Sequence, residues 1–327
     1  MQTAISLAVS KSSALASLRE FFLACTRGAV AAAILASGVL AAEGEFVSDV
    51  ARKTQQRLEE IAAGVPGVMG LVVEDLAGDY RFAVHEDRQF AQASAIKIPI
   101  LMEVLRQAEE GQIQLSDLHP VTSRHQVPGS GILAELGDGT TTMSVEDLAV
   151  LMIVLSDNTA TNMLIDLVGM DRVTATMRSL GCDQTLLRRR MMDTAASARG
   201  DENVSTPRDA ARLLRALYEG KFVSREVSDQ ALAILRKPKK GAVNAVLPDS
   251  IPVAFKPGSI PGVETEWALV ELPERPYIVV LMGAYDAGGE LKDAMRDAAR
   301  TAHQFFSRLA TASPYGTYID PAEWAKH

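Results

Sequence analysis

The spacing of hydrophobic and polar positions predicts helices at both ends of the chain, strands just inside them and a mostly helical middle. Val47–Ala63 is charged and amphipathic and is followed by Gly64-Val65-Pro66-Gly67, which is typical of a helix and its termination. Val68–Glu74 and Asp79–His85 flank the dipeptide Ala77-Gly78, so these two segments predict a hairpin.

The long middle region, from about Ser94 to about Lys237, is predicted to be mainly helical. Two start signals support this prediction: the capping sequence at Ser144, and Thr206-Pro207, which combines an N-cap with a first-turn proline. After this region, three strands and a closing amphipathic helix are predicted at Ile251–Lys256, Ala268–Leu272, Tyr277–Ala284 and Gly289–Leu309.

This order of elements predicts an α/β protein of the α+β kind. An antiparallel sheet is built from both chain ends and flanked by the terminal helices, and an all-helical domain is inserted between its strands. The α/β part is expected at about 43–91 and 250–311, the helical part at about 92–249, and a tail at 312–327. Binding sites tend to form between two such parts.

The N-terminal segment, residues 1–42, predicts a signal peptide. Lys11, Arg19 and Arg27 precede the apolar run Gly28–Ala42, which ends in residues small enough for cleavage after Ala41 or Ala42. The alternative is an uncleaved membrane anchor, for which fifteen apolar residues are few. We therefore expect a bacterial protein that is exported to the periplasm or secreted, without stable membrane association after cleavage.

Composition narrows the classes of function. The 327 residues are 47% hydrophobic, enough for a sizeable core, and the net charge of −8 argues against a general affinity for nucleic acid. The five histidines are scattered, with no pair at metal-ligand spacing, so we expect neither a metal nor another cofactor. Cys25 lies in the signal segment, which leaves Cys182 without a disulfide partner. A monomer acting on a small molecule is expected.

The candidate chemistry begins with Ser94-Ala95-Ile96-Lys97. A serine three residues before a lysine shares a helix face with it, and a helix N-terminus favours a developing negative charge. Isoleucines on either side of Lys97 supply the apolar setting that would lower the pKa of its amine. The alternative interpretation is that Ser94 caps a core helix and that Lys97 is solvated.

Two further motifs follow, Ser156-Asp157-Asn158 between two helical stretches and Lys256-Pro257-Gly258 at a strand end. Sixty-two residues separate Ser94 from Ser156, and one hundred separate Ser156 from Lys256. Each motif also has an ordinary structural interpretation, as a helix cap or as the end of a strand. Their order and intervals resemble those of the penicillin-recognising serine hydrolases, and of the class A β-lactamases in particular, over about Phe46 to Ala310.

The resemblance implies a role for each candidate residue. Ser94 would be the nucleophile and Lys97 its general base, while Ser156 and Lys256 would pass a proton to the leaving nitrogen. Asn158 would orient Lys97 or the substrate amide. The site residues that would contact the substrate are Gly258, which lets it approach the backbone, and Ser259, whose N–H would complete an oxyanion hole with that of Ser94.

The chain departs from the class A pattern in the loop that should carry the deacylating glutamate. Met191 falls nearest that position, and Asp193 is the only carboxylate nearby. Asp193 is therefore a candidate base for the deacylating water, with a role as partner of the run Arg188–Arg190 as the alternative.

A second departure concerns the substrate carboxylate. Pro257 replaces the usual hydroxyl residue, and Glu264 and Glu266 stand where a basic residue is often found. Lys256 and Ser259 would then hold a carboxylate unaided. The expected function is a serine β-lactam hydrolase acting through an acyl-enzyme. The alternatives are a penicillin-binding protein, either a D-Ala-D-Ala peptidase or a slowly deacylating sensor, and an esterase or amidase on the same fold.

Overall fold

The structure is a computed structural model that describes residues 46–313 and 315–317. The predicted signal peptide lies outside the described residues, as does most of the predicted tail. The helices are α1 (46–64), α2 (Lys97–Glu109), α3 (Val145–Val154), α4 (Asn158–Val168), α5 (Met170–Ser179), α6 (Thr194–Ala198), α7 (Pro207–Tyr218), α8 (Arg225–Arg236) and α9 (Glu290–Thr311).

Five strands form one antiparallel sheet in the order β2-β1-β9-β8-β7, so strands from the two ends of the sequence pair at its centre. Two further pairs of short strands, β3 with β6 and β4 with β5, lie outside it. The strands are β1 (Val68–Asp75), β2 (Arg81–Val84), β3 (Phe90–Ala91), β4 (Leu118–Pro120), β5 (Thr142–Ser144), β6 (Val204–Ser205), β7 (Val253–Ile260), β8 (Gly262–Val270) and β9 (Tyr277–Asp286).

The predicted fold class is confirmed: five strands form one antiparallel sheet, helices stand at both ends of the described chain, and the helical region is inserted between β2 and β7. Two compact units are distinguished, residues 53–311 and the chain ends. In the described part of the smaller unit, residues 46–52 are helical and the backbone N–H of Ser313 donates to the carbonyl of Thr317. Among the described residues, no helix has the length and hydropathy to cross a membrane.

Local sequence signals explain several helix starts. The Ser144 hydroxyl accepts the backbone N–H of Asp147, and the Thr206 hydroxyl accepts that of Asp209, so both predicted N-caps are confirmed. Helix α2 behaves differently, because apolar side chains cover it nearly all round and almost all of its residues are buried. A helix of this kind forms the centre of a core. Helix α2 therefore provides a rigid support for the short turn before it, which contains Ser94.

Strands β7 and β8 are longer than their sequence predicts. Pro257 and Gly258, which normally end strands, lie inside β7. β7 is at the edge of the sheet, where a missing N–H costs little, and this explains how the strand continues through proline. The consequence is a tight β7–β8 hairpin that brings residues 259 and 264 opposite each other.

An aromatic cluster packs α9 onto the sheet. Phe305 is fully buried and meets Tyr80, Phe82 and Phe306 edge-to-face at centroid distances of 4.9–5.2 Å. Such pairs add to the free energy gained from burying the rings themselves.

We expect Phe305→Ala to lower the free energy of unfolding by about 3–5 kcal/mol, because it removes a large side chain from a packed core. Chemical denaturation of the purified protein measures this change. The matched control is Tyr285→Ala, an aromatic residue that is 83% exposed, for which the change should stay within about 0.5 kcal/mol. Equal losses in the two variants would contradict this account of α9 packing.

Candidate active site

Ser94 lies in a single 3₁₀ turn, Ala93–Ile96, that leads directly into α2. Ala93, just before it, has a φ of 44°, a conformation that a residue with a side chain adopts only when its surroundings enforce it. Strain next to a candidate nucleophile is typical of functional sites, and the neighbouring contacts must hold it in place.

Gln92 supplies those contacts. Its side-chain amide donates to the carbonyl of Phe90 at 2.9 Å and its side-chain oxygen accepts the indole N–H of Trp267 at 2.9 Å. Its backbone carbonyl accepts the hydroxyl of Thr265 at 3.0 Å. The sequence analysis missed Gln92 and Thr265, because no motif links residues so far apart in the chain. A polar side chain between Ala91 and Ala93 was the only local signal.

Lys97 is fully buried, so the alternative of a solvated lysine is wrong. Its Nζ donates to the carbonyl of Ser156 at 2.6 Å, to the Ser156 hydroxyl at 3.0 Å and to Oδ1 of Asn158 at 3.0 Å. Burial and, to a smaller extent, the positive charge of Lys256 hold the pKa of Lys97 well below its usual value, against the opposing effect of Asp157. The lowered pKa makes the neutral amine, which a general base requires, more accessible than in a solvated lysine.

Ser156 joins the two lysines. Its Oγ lies 3.0 Å from Nζ of Lys97 and 3.1 Å from Nζ of Lys256, and its backbone has a φ of 55°. Lys256 is also almost fully buried and donates to the carbonyl of Pro257 at 2.8 Å. Burial lowers the pKa of Lys256 to about 7, with a further decrease from Lys239 and an opposing effect from Glu266.

The middle residue of the second motif, Asp157, orders a loop beside these groups. Its Oδ1 accepts the N–H of Ala160 and caps α4, while its Oδ2 accepts the N–H groups of Ile132 at 2.7 Å and Leu133 at 2.9 Å. Gly131 has a φ of 112°, and a Cβ there would lie 2.2 Å from the Asp157 carboxylate. Glycine is therefore required at position 131, because the Asp157 carboxylate binds the loop 127–133 there.

Asn158 holds the same loop at a second point. Its backbone N–H donates to the carbonyl of Ser130 at 2.9 Å and its side-chain amide donates to that of Pro128 at 3.2 Å. Because Oδ1 of Asn158 accepts from Lys97, this residue ties the loop to the candidate base.

The third motif, Lys256-Pro257-Gly258, forms the side of the candidate site that β7 contributes. A Cβ on Gly258 would lie 2.7 Å from the backbone N of Ser94, so β7 and the nucleophile turn are in close contact. A cleft of about 390 Å³ lies here. Five predicted site residues line it, together with three cations that the sequence analysis missed: Ser94, Ser156, Lys256, Gly258 and Ser259, with Lys240, Lys292 and Arg296. The expectation that Lys256 and Ser259 would hold a substrate carboxylate unaided stays a prediction.

The loop 188–194 is clamped to α4 by Asn162, whose side chain accepts the N–H of Met191 at 2.8 Å and donates to its carbonyl at 3.2 Å. Asn162 lies about one helical turn after Asn158, so Met191 is fixed close to the candidate site. Met191 is buried, with 7% of its surface exposed.

Asp193 is placed differently from the lining residues of the cleft. Its Oδ1 accepts the N–H of Ala196 at 2.9 Å and caps α6. The described ion pairs join Arg189 to Glu202 and Arg190 to Asp166. The alternative of Asp193 as partner of the arginine run is therefore wrong, and its role as a deacylating base stays a prediction.

Glu266 is a further buried group that the sequence analysis did not assign. Its carboxylate accepts the backbone N–H groups of Ala242 and Val243, the latter at 3.2 Å. Burial raises its pKa to about 7, while these two N–H groups, Lys256 and Lys239 oppose the rise. Glu266 thus fixes the segment that follows Lys240, and its carboxyl group is close enough to affect the pKa of Lys256.

Within residues 46–313 and 315–317, no three histidine, cysteine, aspartate or glutamate side chains are grouped so that they could hold a metal ion. The polar groups that line the cleft are serine and threonine hydroxyls, lysine amines, the Arg296 guanidinium and the carboxylates of Glu264 and Glu266. Such an arrangement is suited to acyl transfer through a serine.

Comparison with known proteins supports this classification. A family model described as the beta-lactamase enzyme family matches residues 53–306. Beta-lactamase CTX-M-6 of Salmonella typhimurium is 31% identical over 268 residues, which cover 77% of this chain and 87% of that protein. The chain therefore belongs to the beta-lactamase enzyme family. Within it, the similarity is to class A, as the motif spacing indicates.

Solved structures agree with this assignment. A beta-lactamase from Sphaerobacter thermophilus has 32% sequence identity and a TM-score of 0.70, covering 77% of this chain and 97% of its own. A leucine-to-glutamate variant of PBP-A, an acyl-enzyme complex with penicillin G, has 26% identity and a TM-score of 0.73, covering 78% and 97%. An ancestral class A beta-lactamase has 26% identity and a TM-score of 0.71, covering 77% and 100%.

The contacts of Glu266 generate a prediction about pH. Its negative charge raises the pKa of Lys256, so Glu266→Gln should lower that pKa, and Lys256 should lose its proton at a lower pH than in the wild type. NMR titration of ¹³C-labelled lysine side chains, assigned with Lys256→Met, measures the shift. Glu271→Gln is the control, because Glu271 pairs with Arg236 at the surface. An unchanged Lys256 titration in a folded Glu266→Gln protein would contradict the prediction.

Proposed function

We propose that the protein is a serine hydrolase that β-lactams acylate on Ser94. The observation that carries this proposal is the Ser156 hydroxyl between the Nζ atoms of two buried lysines, at 3.0 and 3.1 Å, in the cleft that Ser94 lines. A hydroxyl in this position can relay a proton between an amine base and a leaving group. A plain helix cap or strand end would not require two buried lysine amines around one hydroxyl.

In the proposed acylation, the neutral amine of Lys97 takes the proton of the Ser94 hydroxyl, whose oxygen attacks the lactam carbonyl carbon. The backbone N–H groups of Ser94 and Ser259 stabilise the oxyanion. The carbon–nitrogen bond then breaks. The Ser156 hydroxyl gives its proton to the ring nitrogen and is reprotonated from Lys97 or Lys256. Asn158 orients Lys97 through its Oδ1 contact.

Release of the acyl group is proposed to be slow with β-lactams. Deacylation needs a base for the attacking water, and the residue clamped by Asn162 at the expected place is Met191, which cannot accept a proton. Asp193 caps a short helix instead of lining the cleft. These contacts favour the second candidate function, a penicillin-binding protein with a long-lived acyl-enzyme, over a fast β-lactamase. The similarity to PBP-A is in line with it.

The proposal includes export and a monomeric state. The leader-like sequence at residues 1–42 motivates export to the periplasm or to the outside of a bacterial cell. Small-molecule chemistry in a cleft within residues 53–311 requires no second copy of the chain.

The first test is intact-mass spectrometry of the signal-free protein mixed with a penicillin. We expect a stoichiometric adduct on Ser94 that persists over many minutes, and no adduct on Ser94→Ala, because the nucleophile is gone. A melting curve checks that Ser94→Ala is folded. An equal adduct on Ser94→Ala, or none on the wild type with any β-lactam or small ester, would contradict the proposal.

The second test concerns release of the acyl group. Met191→Glu should raise the deacylation rate constant by about 100-fold or more, because it introduces a general base beside the acyl-enzyme. Decay of the adduct mass after removal of free penicillin measures the rate. Ala198→Glu is the control, since Ala198 is exposed at the end of α6 and should leave the rate near that of the wild type.

Asp193→Asn tests the remaining possibility, which is that Asp193 is the base for the attacking water. Asparagine also caps helices well, so α6 should persist and the deacylation rate should stay unchanged. Slower decay in Asp193→Asn would instead identify Asp193 as the base and contradict the role proposed for the Met191 position.

A further inference from the structure

Ser259 and Glu264 lie directly opposite each other in the β7–β8 hairpin. The Ser259 hydroxyl donates to Oε1 of Glu264 at 2.7 Å, and the same oxygen lies 3.2 Å from Nζ of Lys292 on α9. All three residues line the cleft, and the Glu264 side chain is only 17% exposed. One carboxylate of the protein thus already holds a hydroxyl and an ammonium donor within the cleft.

A hydroxyl and an ammonium that converge on one point form the donor set that a substrate carboxylate requires. The neighbouring position, Pro257, offers no hydroxyl as a replacement. An anionic substrate group at this end of the cleft would have to displace Glu264 from Ser259 or bind beside its negative charge. Either outcome weakens binding of the anionic group.

The other cations of the cleft are poorly placed to compensate. Arg296 forms an ion pair with Asp293 at 2.8 Å, and the buried Nζ of Lys256 donates to Ser156 and to the carbonyl of Pro257. Lys240 is exposed at the rim, where water and salt screen its charge.

We infer that Glu264 is a specificity-determining residue whose carboxylate takes the place of a substrate carboxylate at Ser259 and Lys292. The favoured acyl donors are therefore amides or esters without a free carboxylate next to the scissile bond. This inference rests on the proposed function, because it assumes that Ser94 is the acylated residue.

The test compares a penicillin with its methyl ester, which differ only in the free carboxylate. The second-order rate constant for adduct formation on Ser94 is measured by intact mass for the wild type and for Glu264→Gln. We expect Glu264→Gln to react about tenfold faster with the free penicillin, because a charge-assisted hydrogen bond becomes available to it. The rate with the ester should change less than about twofold.

Asp297→Asn is the matched control. It removes one negative charge from the same helix as Lys292, its ion-pair partner Arg300 is not among the residues that line the cleft, and its side chain is 50% exposed. The ratio of the two rate constants, acid over ester, should rise in Glu264→Gln and stay at the wild-type value in Asp297→Asn. A melting curve confirms that both variants are folded.

The outcomes separate this inference from the proposed function. If neither compound forms an adduct with any folded protein, the proposed function fails and the inference fails with it. If adducts form but the acid-to-ester ratio is the same in Glu264→Gln and the wild type, the inference is overturned and the proposed function stands. An equal rise in Asp297→Asn also overturns it, because the net charge of the protein would then explain the selectivity.

Discussion

The candidate site depends on the burial of two lysine side chains around one hydroxyl. An ammonium group removed from water costs several kcal/mol unless it is neutralised or well hydrogen-bonded. Lys97 has three acceptors within 3.0 Å, and Lys256 has the Ser156 hydroxyl and the Pro257 carbonyl. Burial still lowers the pKa of both amines, that of Lys256 to about 7, and this favours transfer of a proton through Ser156.

The two lysines and the Ser156 hydroxyl keep these distances only if the surrounding structure is rigid. Buried polar side chains provide that rigidity. Asp157 joins the segment 127–133 to α4, Gln92 holds the strained turn before Ser94, and Glu266 fixes the chain beside Lys240. Each of these anchors accepts or donates at least two hydrogen bonds, so none is left as an isolated buried polar group. The rigidity of the cleft therefore comes from long-range polar contacts as well as from the apolar core around α2.

Membership of the beta-lactamase enzyme family fixes the fold, whereas the reaction depends on the residues of the site. In the proposed function, Met191 stands where a base for the attacking water is expected, and Glu264 holds the Ser259 hydroxyl that a substrate carboxylate would use. Both positions would then act on turnover and substrate choice without altering the scaffold.

Much of this protein follows from the sequence alone. Capping at Thr206, hydrophobic periodicity and the intervals between motifs predicted the fold, because these signals act over a few residues or over a whole chain pattern. Only the tertiary structure decided which distant groups meet. Gln92 contacts a tryptophan 175 positions away, and Ser259 gives its hydroxyl to Glu264 because β7 continues through Pro257 at a sheet edge. Contacts of this kind leave no local pattern, since they depend on strand register and on how elements pack.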